Sequence, residues 1–423
     1  MYINVQAIEL IQKHGFDIAY EIAFNAGEFE TCKQIRKIEF DIFGSYNGAF
    51  GTSQFSICSN PVRLDLYRGC GFGCTYCFAE NNHNDYINYS NPQYVVGKID
   101  RVFNGKLNDA FAVMVREGWP VHIGGMSDPL PCREKYTKAT FSAIEAIAKH
   151  NHPIVLSTKS NLPLHNPEYV SLFADIKDNF IFQMSLITAK HHRQFERFAP
   201  SPQDRIKTVG RLCSSGINVM IRLQPFIWQL LEEQNELFKI YADIGVKGVI
   251  VESIKVSRGQ SNINLLKNAF LMSFGIDMNT ELVEKFQGNN TYSFERKYQY
   301  NKILRDIAHA NNLLYFAADN DFRFMGDSPN CCGTDLIKAN VNDTNLTHLA
   351  YRYPDDFGYH LIKDIDNRYM QLKCDENGFI KPVDTVKNIL RKIYNKFECD
   401  TFERLYTDSD NNVHYRIKPE YRT

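Results

Sequence analysis

No stretch of this chain offers the roughly 20 consecutive apolar residues that a membrane-crossing helix needs, although 44% of its 423 residues are hydrophobic. An excess of charge of one sign is also lacking. There are 48 Lys and Arg against 49 Asp and Glu, a formal net charge of −1. That excludes a globally basic nucleic-acid coat, so any nucleic-acid contact must come from a local patch. Internal repeats and low-complexity tracts are missing, and the hydrophobic fraction excludes wholesale disorder. The opening Met1-Tyr2-Ile3-Asn4-Val5-Gln6 has no basic segment leading into an apolar one. The expectation is a cytoplasmic protein with no membrane partner. Eleven cysteines are an odd count. In a long chain without an export signal, this argues for reduced thiols rather than a disulfide framework.

What is present is an alternation of strands and helices. Pro61–Leu66, Trp119–Ile123, Pro153–Ser157, Phe180–Leu186, Ile217–Leu223, Val246–Ile254 and Leu313–Ala317 read as strands. Helical spacing falls between them, at Lys135–His150, Arg205–Ser215, Gln229–Ile244 and Phe294–Asn311. Such βαβ units imply a parallel sheet with right-handed crossovers. About seven strands predict an α/β fold, a complete or partial (β/α) barrel. Residues 1–57 read as an N-terminal extension, with a short helix starting at Ile8–Ile11 and a loop with short strand pieces over Phe43–Ser56. Residues 58–335 read as the barrel core, with Asn262–Tyr300 as an insertion. Residues 336–423 read as a C-terminal appendage carrying a helix at Thr385–Phe397.

Three cysteines fall within eight residues, Cys70, Cys74 and Cys77, spaced C-x3-C-x2-C on a loop with Gly69, Gly71 and Gly73. Three thiolates on so pliable a loop can wrap a compact metal centre. They are one short of a closed structural zinc site, unless a distant residue such as Cys58 supplies the fourth ligand. They are also one short of a fully cysteine-ligated 4Fe–4S cluster, which leaves one iron open. An open iron can chelate the amino and carboxylate groups of S-adenosylmethionine and deliver the electron that cleaves its C–S bond. This spacing, with Tyr76 just before the third cysteine, resembles the signature of the radical SAM superfamily. The expected cofactors are therefore a 4Fe–4S cluster on Cys70, Cys74 and Cys77, and S-adenosyl-L-methionine.

Further motifs resemble the spore photoproduct lyase-like branch: His122–Pro129, Val155–Ser160, Met184–Leu186, Glu196–Arg205 and Ile217–Pro225. The resemblance covers about residues 58 to 260. It implies that Tyr76 approaches the adenine and that Gly124 and Gly125 admit the methionine amino group. It also implies that Ser127 contacts the cofactor, that Lys159 meets its carboxylate, that Ser185 bonds the ribose or the carboxylate, and that Gln224 lines the adenine. Where true spore photoproduct lyases carry a cysteine that returns a hydrogen atom, two residues before the serine, this chain has Gly125. Cys132, Cys331 and Cys332 are the candidate substitutes. Cys331 or Cys332 could instead join Cys374 or Cys399 around a second cluster, and the segment Phe316–Gly333 is expected on the C-terminal face beside the cluster.

On the substrate side, Lys190, Arg193, Arg197, Arg205, Lys207, Arg211 and Arg222 stand against Glu196 and Asp204. This is a basic region that could grip the phosphates of a nucleic acid or nucleotide. The expected function is a radical SAM enzyme acting on a nucleobase or nucleic acid, by repair, rearrangement or modification. It would be fed electrons by a reductant such as flavodoxin or ferredoxin. The alternatives are modification of a peptide or small metabolite, and a non-catalytic zinc or electron-transfer protein.

Overall fold

The structure is a computed structural model that describes residues 5–35, 49–52, 58–79, 88–107, 110–257, 259–286, 289–341, 346–357, 402–409 and 413–422. Its centre is one eight-stranded sheet. The strands are β1 (Ala49–Thr52), β2 (Val62–Asp65), β5 (Val121–Ile123), β6 (Ile154–Thr158), β7 (Phe180–Ser185), β8 (Asn218–Phe226), β9 (Gly248–Ser253) and β13 (Leu314–Ala317), in that order across the sheet. The short strands β3 (Tyr67–Arg68) and β4 (Asn88–Tyr89), the trio β10 (Val256–Ser257), β11 (Glu284–Phe286) and β12 (Asn289–Thr291), and the pair β14 (Phe402–Thr407) and β15 (Val413–Ile417) form small sheets apart from it. From β2 to β13 every neighbour is parallel, whereas β1 runs antiparallel to β2. This is a partial (β/α) barrel, with the expected seven parallel strands and one added antiparallel edge.

Alternation along the strands sorts side chains into two faces. Val155, Ile181, Met220, Ile250 and Phe316 form one apolar cluster with Ile337, on the inner face. Their neighbours Leu156, Phe182, Ile221, Val251 and Tyr315 join the larger core beneath the helices. Helix ends follow local chemistry. Pro202–Ser214 opens with a proline at its first position and with Ser201 accepting a bond from the Asp204 amide at 3.1 Å. The helix read over Lys135–His150 is broken. Lys138 takes a left-handed φ of 54°, leaving Glu134–Thr137 and Ala139–Ala148 as separate pieces. The N-terminal helix is much longer than the sequence suggested, Val5–Asn25, and it closes a small apolar cluster with Cys32 and Ile35. The helix expected over Thr385–Phe397 lies outside the described residues.

One expectation about topology is corrected. Asp319 and Phe322 do follow the C-terminal end of β13, and Asp319 accepts the Ser253 amide at 2.8 Å. The chain then turns back. The Asp327 amide donates to the Tyr315 carbonyl at 2.8 Å, and Asn340 donates to Gly118 ahead of β5 at 3.3 Å. Cys331 and Cys332 therefore lie against the floor of the barrel, not on the face that carries the cysteine loop. The Cys332 carbonyl accepts from Gln183 Nε2 at 2.9 Å, and Cys331 packs on the inner apolar cluster. The physical reason is Asp327, whose carboxylate also accepts the Tyr315 amide at 2.8 Å and so pairs the returning chain with the free edge of β13.

Candidate active site

The cysteine loop leaves β3 at the C-terminal ends of the strands. Gly69, Gly71 and Gly73 all adopt positive φ, at 87°, 75° and 58°. A side chain at 73 would meet the Phe198 ring at 2.7 Å, so conformation and contact both require glycine there. The loop is held at several points. Cys74 forms an isolated bridge with Glu196, and the Thr75 amide donates to the Phe195 carbonyl at 2.9 Å. Asn262 Nδ2 donates to the Cys74 carbonyl at 3.1 Å and to the Cys77 carbonyl at 3.3 Å. The Tyr76 hydroxyl donates to Glu196 Oε1 at 2.5 Å. Glu196 in turn pairs with Arg205 at 2.7 Å, both side chains fully buried, and Arg205 also donates to the Ser185 carbonyl at 2.8 Å.

Burial pushes the Cys70 thiol up to about 11, with Asp128 and Cys77 adding to the rise. Cys74 is pushed higher still by burial, and Lys159 opposes this. Ligation of a metal centre would have to displace those protons. Burial pulls the Lys159 ammonium down, but Cys74, Glu196 and Asp128 outweigh it and leave its pKa raised. Lys159 stays a cation, 5.5 Å from the Tyr76 ring.

The βα loop after β5 fixes the other wall. Asp128 accepts the Leu130 amide at 2.9 Å, the Thr158 hydroxyl at 2.6 Å and the Lys159 amide at 2.8 Å. Ser127 Oγ donates to the Tyr67 carbonyl at 2.5 Å, tying this loop to the strand that opens the cysteine loop. Asp65 Oδ1 accepts the amides of Gly125 at 3.0 Å and Met126 at 2.8 Å, and its other oxygen pairs with Arg63 Nε at 2.7 Å. A Cβ on Gly125 would lie 1.9 Å from Arg63 Cδ. The space a side chain at 125 needs is therefore filled by arginine. Gly124 has φ of 101°, and a Cβ there would lie 2.3 Å from the Ser157 carbonyl. Gly124→Ala is expected to cost about 2–3 kcal/mol through this clash and the left-handed φ. A urea midpoint unchanged from the parent would contradict that.

Inside the barrel, one polar side chain from each of four neighbouring strands meets in a layer. His122 Nε2 and Ser157 Oγ are 2.6 Å apart, and Ser157 bonds Gln183 Oε1 at 2.6 Å. Arg222 donates to Ser157 at 2.5 Å and to Gln183 at 3.0 Å. Burial, helped by Arg222 and Arg63, lowers His122 to about 3, so the imidazole is neutral near pH 7. Two residues further along the same strands, on the same face, stand Lys159, Ser185 and Gln224. Gln224 donates to Glu252 at 2.8 Å, while its own carbonyl oxygen is buried without a partner among the described residues, as is Arg222 Nε.

The structure thus brings the three cysteines, Tyr76 and Lys159 to one end of the barrel, with Gly124, Gly125 and Ser127 on the adjoining loop. Cys132 lies beyond them in that loop and is exposed. The Cys331 and Cys332 sulfurs are 3.8 Å apart at the floor. The hydrogen bond from Cys332 lowers Cys331 to about 6 against its burial, with Arg323 assisting. Cys374 and Cys399 lie outside the described residues. The basic region is also corrected. Arg205 is fully buried against Glu196, Arg222 belongs to the inner polar layer, and Arg211 donates to the Leu164 carbonyl at 2.7 Å. Lys190, Arg193, Arg197 and Lys207 remain exposed. Arg63, Asp65, Asp128 and Asn262 were missed as site residues. The first two had a signal, since alternate positions of the strand leading into the cysteine loop are both charged. Asn262 had none, being 188 positions from the carbonyl it holds.

No family model matches the chain. The uncharacterized protein Rv2578c of Mycobacterium tuberculosis is 24% identical over 197 residues, 44% of this chain and 56% of that protein. Its counterpart from Mycobacterium bovis matches to the same extent. The chain thus spans about half the length of these curated relatives. Among solved structures, spore photoproduct lyase complexed with dinucleoside spore photoproduct superposes with a TM-score of 0.50. The identity is 15%, covering 64% of this chain and 78% of that one. A substituted form of the same lyase, with bound AdoMet and the dinucleoside, matches equally well. The chain shares the fold of these spore photoproduct lyase structures. Among the described residues no helix is long and apolar enough to cross a membrane.

Proposed function

We propose that the protein is a radical SAM enzyme acting on a nucleobase or nucleic-acid substrate. One observation carries the reading: three cysteines on a tethered loop over the C-terminal mouth of a partial barrel, with a half-buried cation, Lys159, beside them. The donor set suits a 4Fe–4S cluster, because Cys70, Cys74 and Cys77 supply three thiolates and leave one iron open. No group of three or more His, Cys, Asp or Glu among the described residues converges on a single metal ion. A cluster asks for something different, since each cysteine binds its own iron. When bound, the cluster and S-adenosylmethionine would supply a 5′-deoxyadenosyl radical that abstracts hydrogen from substrate.

The chain's own residues have simpler tasks. Lys159 offers the charge that a carboxylate needs, in a setting that keeps it protonated. Asp128 fixes its backbone. Gly124 and Gly125 let the main chain approach a ligand closely, and Asp65 holds their loop. Ser185 and Gln224 face the same space, where the free Gln224 oxygen and Arg222 Nε can accept from and donate to a polar ring edge. That pairing suits the cofactor's adenine edge, which the family resemblance places beside Gln224. Spore photoproduct lyase is seen in complex with a dinucleoside spore photoproduct. The returned hydrogen, however, cannot come from position 125, which is glycine walled by Arg63. We infer a reaction other than the lyase's own.

Anaerobic reconstitution tests the reading. Brown protein that forms 5′-deoxyadenosine from S-adenosylmethionine on reduction supports it, and colourless protein binding only zinc sinks it. Lys159→Ala is expected to weaken S-adenosylmethionine binding about 10- to 100-fold, the worth of a charge-assisted hydrogen bond, with iron content unchanged. Equal affinities in a binding titration would remove that role.

A further inference from the structure

Cys331 and Cys332 are adjacent in the chain, and their sulfurs lie 3.8 Å apart as free thiols. Both residues are half-buried, which leaves them open to a small molecule. The turn that carries them is clasped from both sides. Asp335 accepts from Ser328 Oγ at 2.5 Å and from Asn330 Nδ2 at 2.7 Å, and Asn330 Oδ1 lies 2.8 Å from His348 Nε2. Buried Arg323 is the cation that faces both thiols and Cys58. The hydrogen bond between the two sulfurs divides their roles. It lowers Cys331 against its burial, with Arg323 and Arg222 assisting and Glu252 opposing, and it raises Cys332. A thiolate beside a thiol that keeps its proton is suited to attack a disulfide and then to be resolved by its neighbour.

We propose that Cys331 and Cys332 form a reversible disulfide by exchange with a low-molecular-weight disulfide such as oxidised glutathione, and that its closure disturbs the polar layer inside the barrel. The Cys331 thiolate attacks one sulfur of the oxidant and releases the other half as a thiolate. Cys332 gives its proton to that thiolate, attacks the Cys331 sulfur of the mixed disulfide and releases the second half. Counted from thiolate and thiol, the pair gives up two electrons and one proton, and the oxidant leaves as one thiol and one thiolate. The bond so formed is labile. The Cys331–Cys332 peptide is trans, and the roughly 3.8 Å between Cα atoms across such a peptide falls short of the roughly 4.4–6.8 Å that a disulfide usually spans. A strained disulfide is readily reduced again. Closure also reaches the barrel, because the new ring takes in ψ of Cys331 and φ of Cys332, the torsions that aim the Cys332 carbonyl. That carbonyl accepts Gln183 Nε2 at 2.9 Å, and Gln183 Oε1 receives Ser157 at 2.6 Å and Arg222 at 3.0 Å. The effect on cofactor binding rests on the proposed reading of the barrel; the disulfide itself does not.

The test equilibrates the full-length reconstituted protein without oxygen in glutathione buffers, from fully reduced to fully oxidised, followed by acid quenching, alkylation and trypsin. The peptide running from Phe324 to Lys338 holds both cysteines. From the reduced buffer it is expected to carry two alkyl groups. From the oxidised buffer it should carry none and weigh two hydrogens less than the dithiol, and it should revert when reduced glutathione is restored. S-adenosylmethionine affinity is expected to fall about two- to tenfold in the oxidised form, the worth of one hydrogen bond. Cys332→Ser should bind equally in both buffers, with iron content unchanged. No disulfide in the oxidised buffer would overturn the proposal, as would a link from either cysteine to Cys58 or a lasting glutathione adduct. So would equal wild-type affinities with the disulfide formed. Lower iron content in Cys331→Ser/Cys332→Ser would also overturn it, by making the pair metal ligands. Failure of the cofactor reading looks different, since the wild type would take up no iron while the disulfide still formed.

Discussion

Cys74→Ala is expected to lose iron and S-adenosylmethionine cleavage together. The wild type, reconstituted without oxygen, should carry about four irons per chain; the variant should carry almost none and form no detectable 5′-deoxyadenosine. The middle cysteine is the decisive one to remove. Its thiol is the most deeply buried of the three, and its backbone is pinned on both sides, by the bridge to Glu196 and by Asn262. Neither Cys70 nor Cys77 can shift to replace it, and among the described residues Cys58 lies at the other end of β2. The fold should survive, because the loop's tethers run through main-chain atoms and through Tyr76. Full iron content in the variant, measured colorimetrically beside the wild type, would refute the ligand assignment.

Arg205→Met carries the second large effect. Glu196 and Arg205 form an ion pair with both side chains fully buried. Removing the cation strands a carboxylate in the interior, and breaking such a pair costs about 3–5 kcal/mol. The pair also bears on the site. Glu196 accepts the Tyr76 hydroxyl and faces Cys74, so a displaced carboxylate would loosen the cysteine loop. Pairing the change with Glu196→Gln removes the stranded charge. The double variant is therefore expected to recover much of the loss, giving a coupling visible in urea denaturation. A single-variant loss below about 1 kcal/mol would show that the pair is not the keystone of this region.

Much of this was legible beforehand, for identifiable reasons. The inner and outer faces of β6 to β9 repeat every second residue, and the cysteine spacing is dense and local. Seven parallel strands could be read directly, and the three closely spaced cysteines do stand together on one loop. What escaped was whatever depended on residues meeting across long stretches of chain. Glu196 and Arg205 look like ordinary surface charges in a basic run, because their burial comes from the cysteine loop folding over them. The turn of the chain at Asp327 could not be foreseen either. The aspartate closes the edge of β13 through two contacts with Tyr315, and it carries Cys331 and Cys332 to the floor. The split at Lys138 was missed because a lone lysine in a left-handed conformation leaves no mark in hydrophobic spacing.

Arg63 and Gly125 share one volume. A long side chain at 63 occupies the volume that any Cβ at 125 would enter. A cysteine at 125 would require Arg63 to swing aside, and that movement would also give up the ion pair with Asp65, whose carboxylate steadies the loop's amides. An engineered route between this protein and an enzyme with a thiol at that spot therefore runs through the Arg63–Asp65 pair as well as through position 125.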